Sequence, residues 1–91
     1  MPPEDDDRAS AEARAHEEAL LAREQLAFGA QVQRLRSDLG VTQTELSLRT
    51  GIHRHYLSDV ETGRRNPSIR NVFRIAHALG LPPYRLFQFD A

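Results

Sequence analysis

The sequence predicts an all-α fold, and three observations carry the prediction. From Ser10 onward the chain is rich in Ala, Glu, Arg, Leu and Gln and holds no proline before residue 67, a composition of strong helix formers. Apolar residues recur at helical spacing, with Leu21, Phe28, Val32, Leu35 and Leu39 forming one stripe. Between residues 43 and 62 two short amphipathic stretches meet at Gly51. Leu46 faces inward from the first, Ile52 fills the corner, and Leu57 and Val60 face inward from the second. So tight a turn asks for a left-handed backbone, which costs a residue with a Cβ about 1–2 kcal/mol, so glycine is the natural pivot. Two helices packed steeply across a turn of about three or four residues make a helix-turn-helix. Such a unit cannot bury both its faces alone, so flanking helices must complete the core.

Taken in order, residues 1–9 carry two prolines and an acidic run and read as a disordered tail. Residues 10–27 read as a helical extension, with Ser10 as its cap, running into a first core helix that Gly40 stops after Leu39. Gly29 costs about 1 kcal/mol inside a helix, so a helix to Leu39 that is either long or interrupted by a break or bend at this residue is expected. A second stripe, Ala15, Ala19, Ala22, Leu26 and Ala30, lies nearly opposite the first. It is either a solvated Ala-rich face or a contact with a partner or second copy, because an isolated helix of this length is marginal. Thr42-Gln-Thr-Glu45 is a capping box for the second helix. The third runs from His53 to Glu61, and Ser68 caps a fourth whose inner face is Ile69, Val72, Phe73, Ala76 and Leu79, closed by Gly80. Pro82 and Pro83 fit the first turn of a short fifth helix carrying Leu86 and Phe87.

Ninety-one residues with 40% apolar side chains make one small domain. The absence of cysteine excludes disulfides and cysteine-liganded zinc. No apolar run reaches the roughly 18 residues of a membrane span, and the acidic start is unlike a signal peptide, so a cytoplasmic protein with no membrane contact is expected. The net charge of −1 divides unevenly. Residues 1–27 hold eight acids against three arginines, and residues 28–91 hold nine arginines against five acids. The part beyond residue 27 is therefore basic, and phosphate attraction follows the local surface charge, not the chain total.

Leu35-Arg36, Gly40-Val41-Thr42-Gln43, Glu45-Leu46, Gly51-Ile52, Tyr56-Leu57-Ser58, Glu61, Gly63, Asn66-Pro67-Ser68, Ile75-Ala76, Ala78-Leu79-Gly80 and Leu86-Phe87 stand in fixed register. Through them residues 28–87 resemble the phage-repressor and Cro type of helix-turn-helix domain, the Xre family. The resemblance implies a λ-repressor-like cluster of five helices, with DNA binding and dimerisation in residues 28–91. The wording Gly-Ile-His-Arg-His-Tyr-Leu-Ser-Asp-Val-Glu-Thr-Gly-Arg-Arg-Asn-Pro is also similar to the controller proteins of restriction-modification systems. Ser47 departs from the family's Ala at the helix contact, and His53 from its usual Ser or Thr cap.

In such domains the third helix enters the major groove with its N-terminal residues at the base edges. The resemblance makes Arg54, His55 and Asp59 the base readers, with His53 near enough to reach a base or a phosphate. Arg54 offers a fork for guanine O6 and N7, and Asp59 an acceptor for cytosine N4 or an orienting partner for His55. Gln43 would anchor phosphate at the start of the second helix, with Thr44, Ser58, Arg64, Arg65 and Asn66 holding the backbone on either side. Arg36 and Glu61 match a structural pair bridging the first helix to the end of the third. One helix in one groove reads only about three or four base pairs, so a homodimer on two-fold related half-sites about 34–36 Å apart is expected. The apolar C-terminal cluster of Tyr84, Leu86, Phe87 and Phe89 is its expected interface.

No metal, cofactor or catalytic role is expected. His53 and His55 are two apart, about 200° around a helix, as are Asp59 and Glu61. The sequence thus predicts a dimeric, sequence-specific regulator of double-stranded DNA, of the restriction-modification controller kind. A phage or plasmid repressor, or an antitoxin holding a toxin through its N-terminal helix, stands as the alternative.

Overall fold

The computed structural model describes residues 3–91, with side chains from Asp7 onward. It holds four α-helices, α1 (Pro3–Asp38), α2 (Gln43–Thr50), α3 (Arg54–Glu61) and α4 (Ile69–Ala78), followed by a 3-10 helix at Pro83–Phe87. The fifth element is thus a 3-10 helix where the sequence predicts an α-helix. Pro82 is extended ahead of it and Pro83 opens it, and so short a piece closes on i to i+3 bonds.

Helix α1 is the long, uninterrupted form of the expected helix and differs from expectation at its start. It begins at Pro3 and takes in the acidic run assigned to a tail, and Ser10 lies inside it. A proline in the first turn loses no hydrogen bond, because the first amides have no intrahelical partner. Met1 and Pro2 lie outside the described residues. Nor does Gly29 break the helix. A Cβ there would lie 2.1 Å from the Val60 carbonyl oxygen and 2.9 Å from that of Glu61, so the glycine exists to let α1 cross the end of α3 at backbone contact.

The stripe of α1 buries Phe28, Val32 and Leu35. Leu21 and Leu39, counted in the same stripe, are each 49% exposed, since Leu21 lies on the arm beyond the globule and Leu39 in the turn after the helix. Every described side chain from residue 7 to 24 is exposed, and this arm stretches the molecule to 58 Å against 24 and 18 Å across.

The turn between α2 and α3 is held by polar bonds that composition does not reveal. Gly51 adopts φ 72° and its amide donates to Ser47 O at 2.8 Å. The Ser47 hydroxyl donates across the corner to Ile52 O at 2.6 Å, and the Thr50 hydroxyl accepts from the Ile52 amide at 3.1 Å. The serine that departs from the family pattern therefore pins the turn. Thr42 Oγ1 accepts from the Glu45 amide at 3.0 Å as predicted, but the Glu45 carboxylate turns to Arg49 at 3.9 Å, so only half of the capping box forms.

Helix α4, capped by Ser68 Oγ at the Asn71 amide, buries Val72, Ile75, Ala76 and Leu79. Ile69 and Phe73, predicted on its inner face, are 62% and 46% exposed. The buried set follows i, i+3, i+4, i+7, which rotates the other two outward. Leu46, Leu57, Ile75 and Leu86 are the largest fully buried side chains and mark where α2, α3, α4 and the 3-10 helix converge.

Candidate nucleic-acid interface

Helix α3 turns one side to the core through Leu57 and Val60 and the other to solvent. His53 is its N-cap, extended at φ −60° and ψ 140°, with Nδ1 accepting from the His55 amide at 3.1 Å. The imidazole does the work of the absent Ser or Thr. Because His53 stands outside the helix, the 200° separation fails, and its ring stacks on His55 with centroids 5.3 Å apart and planes at 11°. Arg54 and His55 are exposed. With Gln43 and Ser58 they line one open cleft of about 210 Å³, so the first turns of α2 and α3 present polar groups to a common space.

The cleft is fixed from behind by a buried ion pair. Arg36 donates from Nε to Glu61 Oε2 at 2.6 Å and from Nη2 to Oε1 at 2.8 Å, and its Nη1 reaches Val41 O at 2.8 Å. Both residues are buried. The hydrogen bonds that Arg36 donates to Glu61, and the charge of that carboxylate, raise its pKa above the usual arginine value, against the opposing effect of burial. Gln43 Nε2 donates to the same Glu61 Oε1 at 3.0 Å. One of its two N–H groups is thereby used and the other stays free. The expected phosphate anchor is therefore tied through Glu61 to both α1 and α3.

Asp59 pairs with Arg65 at 3.9 Å instead of His55. The Arg65 guanidinium also stands 4.6 Å over the ring of Tyr56, whose hydroxyl accepts from the Ser68 amide at 3.2 Å. Burial opposes ionisation of this phenol, but hydrogen bonds with Asn71 and Ser68 and the charge of Arg65 outweigh it and lower its pKa. Tyr56 is thus the post joining α3 to the start of α4. The sequence marked it only as part of the family pattern, because nothing in its spacing points to Arg65 or Ser68, nine and twelve positions away. Thr44 and Arg64 are exposed at the two ends of the surface. Asn66 lies elsewhere, at the rim of a groove between α1 and α4.

Of the expected interface residues, Tyr84 and Phe87 are 62% and 48% exposed. Phe89 is half-buried, edge-on to Phe28 at 6.5 Å. Leu86 is wholly buried in the monomer core and has no surface to offer a second copy. Ile69 and Phe73 are the large apolar side chains that α4 leaves exposed. They were legible in one respect: with Val72, Ile75, Ala76 and Leu79 they give α4 an apolar arc of about 160°, wider than the roughly 100° a one-sided helix needs.

A glycine-pivoted pair of helices, the second offering exposed Arg54 and His55 to solvent, defines a helix-turn-helix DNA-binding regulator of transcription. The chain belongs to the helix-turn-helix family HTH_3, whose model matches residues 32–86. It is 40% identical over 65 residues to the control protein C.BamHI of Bacillus amyloliquefaciens, spanning 70% of this chain and 80% of that one. Among solved structures it is similar to the restriction-modification controller protein C.AhdI of Aeromonas hydrophila, with a TM-score of 0.70 at 35% identity over 71% of this chain and 98% of that one. It is also similar to the clp gene regulator ClgR of Corynebacterium glutamicum, with a TM-score of 0.67 at 33% identity over 69% and 81%. Among the described residues no helix is long and apolar enough to cross a membrane.

Proposed function

We propose that this protein is a homodimeric operator-binding regulator of the restriction-modification controller kind, acting at its own promoter. The observation that carries this reading is the cleft shared by Gln43, Arg54, His55 and Ser58, held rigid by the Arg36–Glu61 pair behind it. Arg54 has the planar fork that reads guanine, and His55 stands beside it on the first turn of α3. Gln43, with one N–H still free, is placed to meet a phosphate at the N-terminus of α2. Arg64 adds a positive charge beyond the C-terminal end of α3, and Arg65, steadied by Tyr56 and Asp59, adds a second whose direction is set in advance.

Dimerisation joins two such surfaces along one side of a duplex, and the exposed Tyr84 and Phe87 with Ile69 and Phe73 are the apolar groups that favour it. On its own promoter such a dimer activates at low occupancy and represses at high. Selection of bound sites from random duplex, followed by footprinting, tests the reading. The expected result is a two-fold related pair of half-sites about one helical turn apart; enrichment of a single short site, or of no sequence, overturns it.

A further inference from the structure

Helix α1 presses on the loop that follows α3. About one turn before the crossing at Gly29, Leu26 meets Gly63, which holds φ 75°. A Cβ on Gly63 would lie 2.9 Å from both Cα and Cδ1 of Leu26. Beside that contact Gln25 Nε2 donates to Gly63 O at 3.0 Å. Gln25 stands between Leu21 and Phe28, on the side of α1 that goes on to form the core. A half-buried polar side chain at such a position needs a partner, and it finds one in the backbone that leads into Arg64.

The peptide joining Gly63 to Arg64 is gripped at both edges. Its N–H donates to Asp59 O at 2.8 Å, while the Gly63 amide donates to Val60 O at 3.1 Å, the pair of bonds that closes a helix on a left-handed glycine. Its carbonyl, on the opposite edge, accepts from Gln25. A trans peptide is planar, with its N–H and C=O pointing opposite ways, so the two bonds together fix the plane from which the Arg64 Cα departs. With the N–H bond alone, that plane is free to swing.

The two exposed arginines of this loop are steadied differently. Arg65 is held through its side chain, by Asp59 and Tyr56. Arg64 forms no ion pair with any described residue, so its direction is set by its backbone.

We propose that Gln25 is a positioning residue for DNA binding, which acts through the Gly63–Arg64 peptide to aim Arg64 at a phosphate. Gln25 lies outside residues 32–86, the part of the chain that the family model matches. The proposal rests on the DNA-binding reading above, in which Arg64 meets the phosphate backbone. A charge whose backbone is already set loses less freedom on contact, and that is the gain Gln25 supplies.

Gln25→Met tests this, since methionine is close to glutamine in length and helix propensity and lacks its N–H groups. Binding is read by fluorescence anisotropy on a labelled duplex of random sequence, because a phosphate contact acts on every sequence. Gln25→Met is expected to weaken binding by about two- to tenfold, with circular dichroism showing a folded chain at the assay temperature. In an Arg64→Ala background the same substitution should have no further effect, and in an Arg65→Ala background it should keep its full effect. A role in stability alone would not tell the two backgrounds apart. By deuterium exchange, Gln25→Met should speed the Arg64 amide more than the Ile75 amide in the core.

If Arg64→Ala weakens binding and Gln25→Met does not, or if Gln25→Met loses the same factor with and without Arg64, the proposal is overturned while the DNA-binding reading stands. An Arg64 amide as protected as before likewise overturns it. An Arg64→Ala chain that binds as tightly as the original takes Arg64 off the phosphate surface, and the proposal falls with that reading.

Discussion

Replacing Arg36 by methionine isolates the pair that ties α1 to α3. The guanidinium makes two bonds to Glu61, at 2.6 and 2.8 Å, and one to Val41 O at 2.8 Å. Without it the Glu61 carboxylate, 5% exposed, keeps only the bond from Gln43 Nε2. Removing one partner of a buried pair costs about 3–5 kcal/mol, because the other charge is left in the interior with too few donors. A domain of this size has about 5–15 kcal/mol in total, and each kcal/mol moves its midpoint by about 4–8 °C. The expected thermal midpoint is therefore lower by about 15 °C or more, read by circular dichroism. The double replacement Arg36→Met/Glu61→Leu should lose less than Arg36→Met alone, since it leaves no orphaned charge and returns apolar volume to the site. A loss under about 1 kcal/mol for Arg36→Met, or a double variant that loses the sum of the two single changes, would refute the reasoning and make the pair a surface contact.

Gly29→Ala should destabilise the fold by about 1–3 kcal/mol despite the roughly 1 kcal/mol by which alanine favours a helix, because its Cβ would lie 2.1 Å from Val60 O; a urea midpoint that rises would disprove the close crossing. Arg54→Ala should weaken binding to the selected operator by about 10- to 100-fold and leave nonspecific binding nearly unchanged, measured by anisotropy on both duplexes. Equal loss on the two would make Arg54 a phosphate contact. Arg64→Ala should lower affinity for every sequence and flatten the salt dependence by about one unit of slope; an unaltered slope would remove it from the phosphate surface. His53→Ala should cost about 1 kcal/mol while His53→Asn costs little, since asparagine can also accept the His55 amide, and equal losses would show that the cap contributes nothing.

Local chemistry was the legible part of this chain. Gly51 needed a left-handed backbone and has one, at φ 72°, and Thr42 and Ser68 cap α2 and α4, because such effects act within about four residues. Arg36 and Glu61 were paired only by resemblance, since 25 positions separate them and no spacing rule joins them. His53 shows the limit of a helical wheel: as the extended N-cap just outside the helix, it stacks on His55 instead of pointing away. Leu57 and Val60 face inward as their spacing requires, whereas the outward role of Arg54, three residues before Leu57, was implied by the resemblance alone.

By itself the sequence determined the all-α class, the bounds of α2, α3 and α4 within a residue or two, and the pivot of the turn. Those follow from propensity, capping and the 3.6-residue period, which are properties of neighbours along the chain. Tertiary structure decided which apolar residues are spare. Leu86 is taken into the core while Ile69, Phe73 and Leu21 are left in water, although all four are equally apolar as letters. It also gave Gly29 its purpose, by bringing the end of α3 against α1. Burial depends on what the rest of the chain brings to a place, and close packing admits one such arrangement where local pattern admits several.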